Sequence, residues 1–221
     1  MIEATETRIP SLLFICTQPR AELLPCVPNH GEWFRNGFGL PEGAYSMRVV
    51  YAADEALPRE VNEDAVVIGG SRYSVRADLP WVRALGEFVR GLWELQVPTL
   101  GVCFGHQLIA EALGGIVIKG EAGPEVGVAR VQITETGKAD PLFHGITDDE
   151  LHVAMYHEDV VVTPPRYATK ELARNGRYRY QALAYGDIMR SVQFHPEMTP
   201  ELIGAMMYAH KDRLRIDGVW A

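Results

Sequence analysis

The hydrophobic positions in the first half of the chain fall into short unbroken runs, each followed by apolar residues at wider, helix-like intervals. Residues 12–17, 47–51, 65–68 and 100–102 form four such runs. Short runs rich in Val, Ile and Leu read as strands buried on both faces. Trp33, Phe34 and Phe38 follow Asn29, which is placed to cap a short helix. Trp81, Leu85, Phe88, Val89 and Leu92 lie at helical spacing behind Asp78 and Pro80, and proline suits the first turn of a helix. Residues 104–113 read as another helix, ended by Gly114 and Gly115. This alternation predicts an α/β fold: an open, mostly parallel sheet with helices on both faces, of the flavodoxin-like kind.

The second half has a different texture. Residues 128–134, 151–155 and 160–163 alternate apolar with polar side chains, and 190–194 lead as a strand into His195. Thr199 and Pro200 open a last helix carrying Leu202, Ile203, Met206 and Met207. Period-two alternation predicts a small antiparallel section joined to the parallel sheet. No repeat, low-complexity tract or long linker divides the chain, so one domain over residues 1–221 is expected.

Composition narrows the partners. The net charge of −8 and a pI of about 5.4 argue against nucleic acid and against anionic membrane. No apolar run approaches the ~20 residues that a spanning helix needs. Met1-Ile2-Glu3-Ala4 is acidic and lacks the basic flank of a signal peptide. Cys16, Cys26 and Cys103 are odd in number and follow no framework spacing, which implies free thiols and a cytoplasmic location. Cys16 sits in an apolar run and reads as a small buried hydrophobe.

Cys103 is different. It lies in Thr99-Leu100-Gly101-Val102-Cys103-Phe104-Gly105-His106-Gln107, between a strand-like run and a helical one. Flanking glycines permit a sharp turn and close approach of a substrate. The helix N-terminus behind it favours a thiolate, the reactive form of cysteine. Ninety-two residues later come Gln193-Phe194-His195-Pro196-Glu197. A cysteine, a histidine and a carboxylate make a nucleophile, a base and a group that orients the base. Taken alone, a histidine beside a strand end is usually packed and a nearby glutamate solvated. The turn around Cys103 is what raises the pair above that ordinary reading. Cys103, His195 and Gly70 each follow an apolar strand run, so all three are expected at the carboxyl edge of the sheet, where such sheets bind ligands.

These motifs resemble the class I, or triad, glutamine amidotransferases, especially stand-alone members related to the glutaminase domain of GMP synthase. The family's Gly-x-Cys-x-Gly-x-Gln is matched by Gly101, Cys103, Gly105 and Gln107, and its His-Pro-Glu by His195, Pro196 and Glu197. A glycine pair after a central strand is matched by Gly69 and Gly70, although Ser71 stands where the family often has proline. The resemblance runs from about residue 10 to about residue 210, with the motifs in the family's order. It implies that the N–H groups of Gly70 and Phe104 form an oxyanion hole. It implies that Gly69, Gln107, Tyr156, His157 and Glu158 contact the substrate, the last three within a loop the family usually writes Ser-His-Gly-Asp. Glu158 occupies the glycine position of that loop. His106 also neighbours Cys103, and its variable place in the motif reads as packing.

The activity implied is hydrolysis of the glutamine side-chain amide through a glutamyl thioester on Cys103, with no cofactor. His152 and His157, five apart on a strand, would face opposite sides, so no metal is expected. The chain carries no P-loop, so an ammonia acceptor would need a separate synthetase subunit. Two other readings stay open. One is a stand-alone hydrolase of γ-glutamyl amines or peptides. The other is a non-catalytic binding or regulatory module that uses the same pocket.

Overall fold

The computed structural model describes residues 8–23, 30–166 and 169–216. Asn29 and Cys26 lie outside them. Eleven strands and six α-helices are present among the described residues. Four parallel strands come first: β1 (Ser11–Cys16), β2 (Ser46–Tyr51), β3 (Ala65–Ile68) and β4 (Thr99–Val102). Then follow β5 (Ile116–Lys119), β6 (Glu125–Ile133), β7 (Glu150–His157), β8 (Asp159–Thr163), β9 (Thr169–Arg174), β10 (Ala182–Tyr185) and β11 (Met189–Val192). Nine of them form one sheet in the order β2-β1-β3-β4-β11-β10-β9-β6-β7, and β5 pairs with β8 apart from it.

The strand β11 joins the two textures. It runs parallel to β4 on one side and antiparallel to β10 on the other. The mixed sheet therefore agrees with the expected architecture, and the antiparallel section is larger than the sequence pattern indicated. The strands β5, β9 and β10 were not anticipated. Ala182–Tyr185 is buried at every position, with no alternation to mark it, and Thr169–Arg174 is mostly polar.

The helices are α1 (His30–Gly37), α2 (Pro80–Glu94), α3 (Phe104–Ala112), α4 (Glu135–Lys138), α5 (Pro200–Ala209) and α6 (Lys211–Ile216). On α2, Val82, Leu85, Val89 and Leu92 face the sheet, at the spacing that gives one apolar stripe. Its N-cap is Leu79 and not Asp78, whose carboxylate pairs with Arg83 instead. The helix α3 is buried through its first seven residues, because it lies between the sheet and α2. Gly114 follows its C-terminus at φ 94°, the left-handed geometry that glycine adopts without strain. Two apolar cores flank the sheet, one under α2 and α3 and one under α1. In the second, Phe14 and Phe34 stack with ring centroids 4.7 Å apart and fix α1 against β1. Among the described residues, no helix is long and apolar enough to cross a membrane.

Candidate active site

Register builds the site. Ile68 pairs with Gly101, and Gly101 pairs with Ser191, across three neighbouring parallel strands. Two residues beyond each pair lie Gly70, Cys103 and Gln193, so three strand ends meet in one row. The N–H of Cys103 donates to the Val192 carbonyl at 2.8 Å. His195 is drawn over this row by β7: its N–H donates to the Ala154 carbonyl at 2.9 Å.

Cys103 is the N-cap of α3, with φ 53° and ψ −99°. A non-glycine residue at positive φ is uncommon and carries strain of order 1–3 kcal/mol. What holds the turn is close packing. A Cβ at Gly101 would stand 2.5 Å from the Gly105 carbonyl oxygen, and one at Gly105 would collide with the carbonyl of Ile68. Only glycines allow α3 to sit this tightly on β3 and β4. The thiol of Cys103 faces the Tyr156 carbonyl at 3.8 Å.

His195 Nδ1 and Glu197 Oε1 are 2.7 Å apart, and both residues are buried. Burial alone would lower the histidine. The Glu197 carboxylate and the charge of a Cys103 thiolate outweigh it, and hold the imidazole well above its ordinary 6.5. Glu197 is itself packed against α1: a Cβ on Gly37 would lie 2.8 Å from Glu197 Cα. Both members of the pair are thus clamped from outside.

Gly70 lies directly over the pair. An added Cβ there would stand 2.8 Å from His195 Cε1 and 3.5 Å from Cys103 Cβ. The loop is tied down by Thr17, buried just beyond β1, whose hydroxyl donates to the Gly70 carbonyl at 2.5 Å. Ser71 answers with a hydroxyl donated to the Thr17 carbonyl at 2.8 Å. The Thr17 hydroxyl also lies 3.3 Å from the Gly69 carbonyl, the carbonyl that shares a peptide plane with the Gly70 N–H. Phe104 is the first residue of α3, so its N–H has no intrahelical acceptor. Its ring packs on Trp81 at 5.7 Å.

The remaining expected residues divide. Gln107, Tyr156, His157 and Glu158 line a cavity of about 390 Å³ that opens beside Cys103. Gln107 donates its side-chain amide to the Asp159 carbonyl at 2.7 Å and to Gln193 Oε1 at 3.2 Å, so it is a fixed wall. Both ring nitrogens of His157 meet acceptors: the Asp159 carbonyl and the buried Glu125 carboxylate, each at 3.1 Å. Glu158 ion-pairs with Lys119 at 3.2 Å on the rim of the cavity. Gly69 departs from expectation. It lines neither cavity beside Cys103. Its N–H continues the sheet by donating to the Ile15 carbonyl at 3.1 Å, and Phe14 fills the space a Cβ would take. Arg72 reaches both cavities and pairs loosely with Glu22 at 3.5 Å.

His106 lies away from both cavities. It is fully buried beneath the sheet, with Nδ1 2.8 Å from Ser191 Oγ. Burial, helped by repulsion from His157, lowers its pKa to about 3. Cys16 is equally buried, and burial pushes its thiol up to about 11.

Several contributors were missed from the sequence. Thr17, Gln193 and Glu125 are buried polar residues whose partners lie 32 or more positions away. Ser74 and Arg76 both bind the Asp159 carboxylate, Arg76 at 3.0 Å. Only Thr17 had a signal: a polar residue closing an apolar strand run at the sheet's carboxyl edge.

The fold is that of known α/β enzymes. A glutamine amidotransferase from Thermotoga maritima superposes with a TM-score of 0.76 at 23% identity, covering 96% of this chain and 86% of the other. The family model described as "Glutamine amidotransferase class-I" matches residues 42–212. The chain belongs to the class-I glutamine amidotransferase family. Among its relatives, a glutamine-hydrolyzing GMP synthase subunit from Saccharolobus solfataricus is 38% identical over 136 residues, which is 61% of this chain and 68% of the relative. Gamma-glutamyl peptidase 4 of Arabidopsis thaliana is 31% identical over 162 residues, 72% of this chain and 63% of the relative.

Proposed function

We propose that this chain hydrolyses the γ-amide bond of glutamine or of a γ-glutamyl amine, with Cys103 as nucleophile, His195 as proton carrier and Glu197 as the group that orients it. The observation that carries the reading is the row of strand ends: a strained Cys103 beside a buried His195 held by Glu197 at 2.7 Å. A Cys–His pair in which the histidine is held charged is prepared for attack before substrate arrives.

In the first step the Cys103 sulfur bonds to the γ-carbonyl carbon. The N–H groups of Gly70 and Phe104 receive the developing oxyanion, and together are expected to lower the barrier by several kcal/mol. The imidazolium of His195 gives its proton to the amide nitrogen, the C–N bond breaks, and ammonia or an amine leaves. In the second step water adds to the thioester, its proton passes to His195, and the C–S bond breaks to release glutamate. Gln107, Tyr156, His157 and Glu158 form the wall that receives the glutamyl group. The pairing of Glu158 with Lys119 supports this, because it neutralises a charge that would otherwise repel an α-carboxylate.

Relatives named as glutamine-hydrolyzing GMP synthase subunits support a second route, in which the ammonia passes to a separate synthetase subunit. The two free, buried cysteines among the described residues fit a reducing compartment, and a cytoplasmic location belongs to the proposal. The test is glutamate release by the purified protein and by Cys103→Ala. Cysteine-dependent release supports the assignment. Release that survives the substitution, or a Cys103 that stays unlabelled by a glutamine-like diazoketone, refutes it.

A further inference from the structure

Among the described residues, two cavities meet at Cys103, and they differ in size and lining. The larger, of about 390 Å³, carries Gln107, His157, Glu158 and Asp159. The smaller, of about 130 Å³, is walled by Leu23, Trp33, Phe34, Met198 and Met206. Tyr156 and His210, with rings 5.7 Å apart, line both and stand between them.

The position of His195 decides which end of a substrate goes where. His195 and Glu197 line the smaller cavity and are absent from the wall of the larger. The leaving nitrogen must face the group that protonates it. Whatever that nitrogen carries therefore projects into the smaller cavity, while the acyl chain runs into the larger. Of the two carboxylates that line the smaller cavity, Glu197 binds His195 through Oε1 at 2.7 Å, and its Oε2 is buried without a partner. Glu22 accepts from Gln18 Nε2 at 3.0 Å and from the Tyr73 hydroxyl at 2.5 Å, and it pairs with Arg72 at 3.5 Å. Most of the surface left for a ligand is aromatic and thioether, with Gln18, Ser71 and Arg72 as its polar part, and such a lining favours apolar groups and adapts to their shape. A cavity of ~150 Å³ is enough for a benzene ring, so this one suits a group of about that size or slightly less.

We propose that the smaller cavity is a leaving-group subsite, and that the enzyme prefers γ-glutamyl amides whose amine portion is a small apolar or single-ring group. This rests on the catalytic reading above. Glutamine itself would leave the subsite empty, and each buried methylene of a larger amine strengthens binding about four-fold. A cationic amine would meet the Arg72 guanidinium on that wall and a Glu22 carboxylate that already serves other partners.

The experiment compares kcat/KM for glutamate release from three substrates: glutamine, γ-glutamylbenzylamide, and the γ-glutamyl derivative of 1,4-diaminobutane. The benzylamide is expected to exceed each of the others at least ten-fold. Met206→Asp, and independently Met206→Ala, should lower the benzylamide-to-glutamine ratio, the aspartate by about ten-fold. Val126→Asn, on the wall of the larger cavity, should change both rates together and leave the ratio as it was. A preference for glutamine or for the diamine derivative overturns the subsite while leaving the catalytic reading intact. So does a ratio that follows Val126 and ignores Met206. Absence of glutamate from all three, together with an unlabelled Cys103, removes the catalytic reading and the subsite with it.

Discussion

The parallel strands β1 to β4 and the antiparallel strands β6 to β9 serve the same site by different means. The parallel part works through strand ends. Its strands stop at one edge, and each stop leaves a tight turn: Thr17 after β1, Gly70 after β3, Cys103 after β4. Close backbone contact sets these turns, so glycines at 101 and 105 mark them. The antiparallel part works through side-chain networks. Glu125, at the start of β6, accepts from His157, Asn175 and Gln181, and so holds the end of β7 where the larger cavity begins. Burial alone would raise the Glu125 carboxyl. His157 and the two amides outweigh that and hold it below its ordinary value. The parallel part thus offers chemistry on a rigid backbone, and the antiparallel part offers a wall whose shape depends on buried polar pairs. The strand β11 carries His195 from one to the other.

The comparison breaks most visibly at the nucleophile. Cys103→Ala is expected to reduce glutamate release by about 10³-fold or more with the fold retained, as removal of a covalent nucleophile does. Cys16→Ala, on the same sheet but with a thiol pushed up by burial, should leave the kinetics within about two-fold of the parent. Loss of activity from Cys16→Ala would show that packing near the edge, and not thiol chemistry, governs the rate.

Glu197→Gln tests the group that joins the halves. General acid–base help of this kind is worth roughly 10²–10⁴-fold, and a fall of that size in kcat is expected. The sign of the pH effect follows from the raised His195. In the parent, the histidine–carboxylate pair adds stability that is fully present below 6.5 and is lost as pH rises through the raised value. The stability difference between parent and variant, read by urea titration, should therefore be greatest on the acid side and shrink toward alkaline pH. The basic limb of the rate profile should move to lower pH.

Gly70→Ala and Gly105→Ala sharpen the distinction within the parallel part. At Gly70 the new methyl meets the imidazole of His195, so kcat should fall by about 10²-fold with only a small change in melting temperature. At Gly105 it meets the backbone of β3, so the melting temperature should fall first. Equal loss of stability in the two variants would refute the separate roles.

In the antiparallel part, Glu125→Leu removes one partner of a buried network and is expected to destabilise by about 3–5 kcal/mol. Its KM should rise more than its kcat falls, because it supports the wall and not the reacting atoms. The smallest effect concerns His106, which must stay neutral while buried. The unfolded chain binds this proton below 6.5 and the folded chain only near 3, so stability is lost as pH falls through that window. A folded His106→Gln variant should lose up to about 1.4 kcal/mol per pH unit of that slope, with kcat near neutrality little changed.

The legible part of this molecule follows the same division. The helix α2, the strands β1, β3 and β4, and the turn at Cys103 could be read directly, because their determinants are local: an apolar stripe, short apolar runs, and glycines beside a cysteine. The proposed triad draws on the same kind of local signal, since His195, Pro196 and Glu197 are adjacent in the chain. The strand β10 was not, because a strand buried on every side has no alternation. Gly69 reads as a substrate contact because it adjoins Gly70, but parallel register spends its N–H on Ile15 and leaves the next residue to face the site.

From sequence alone came the α/β architecture, written in the alternation of apolar runs, and the proposed nucleophile on its turn and histidine with its carboxylate, each encoded within a few consecutive residues. Tertiary structure alone decided that Thr17 ties down the loop of Gly69 and Gly70, that Lys119 pairs with Glu158, and that two cavities of unlike lining meet at Cys103. These depend on which strand ends and helices become neighbours. That choice is made by packing the whole apolar core, and no local stretch of chain contains it.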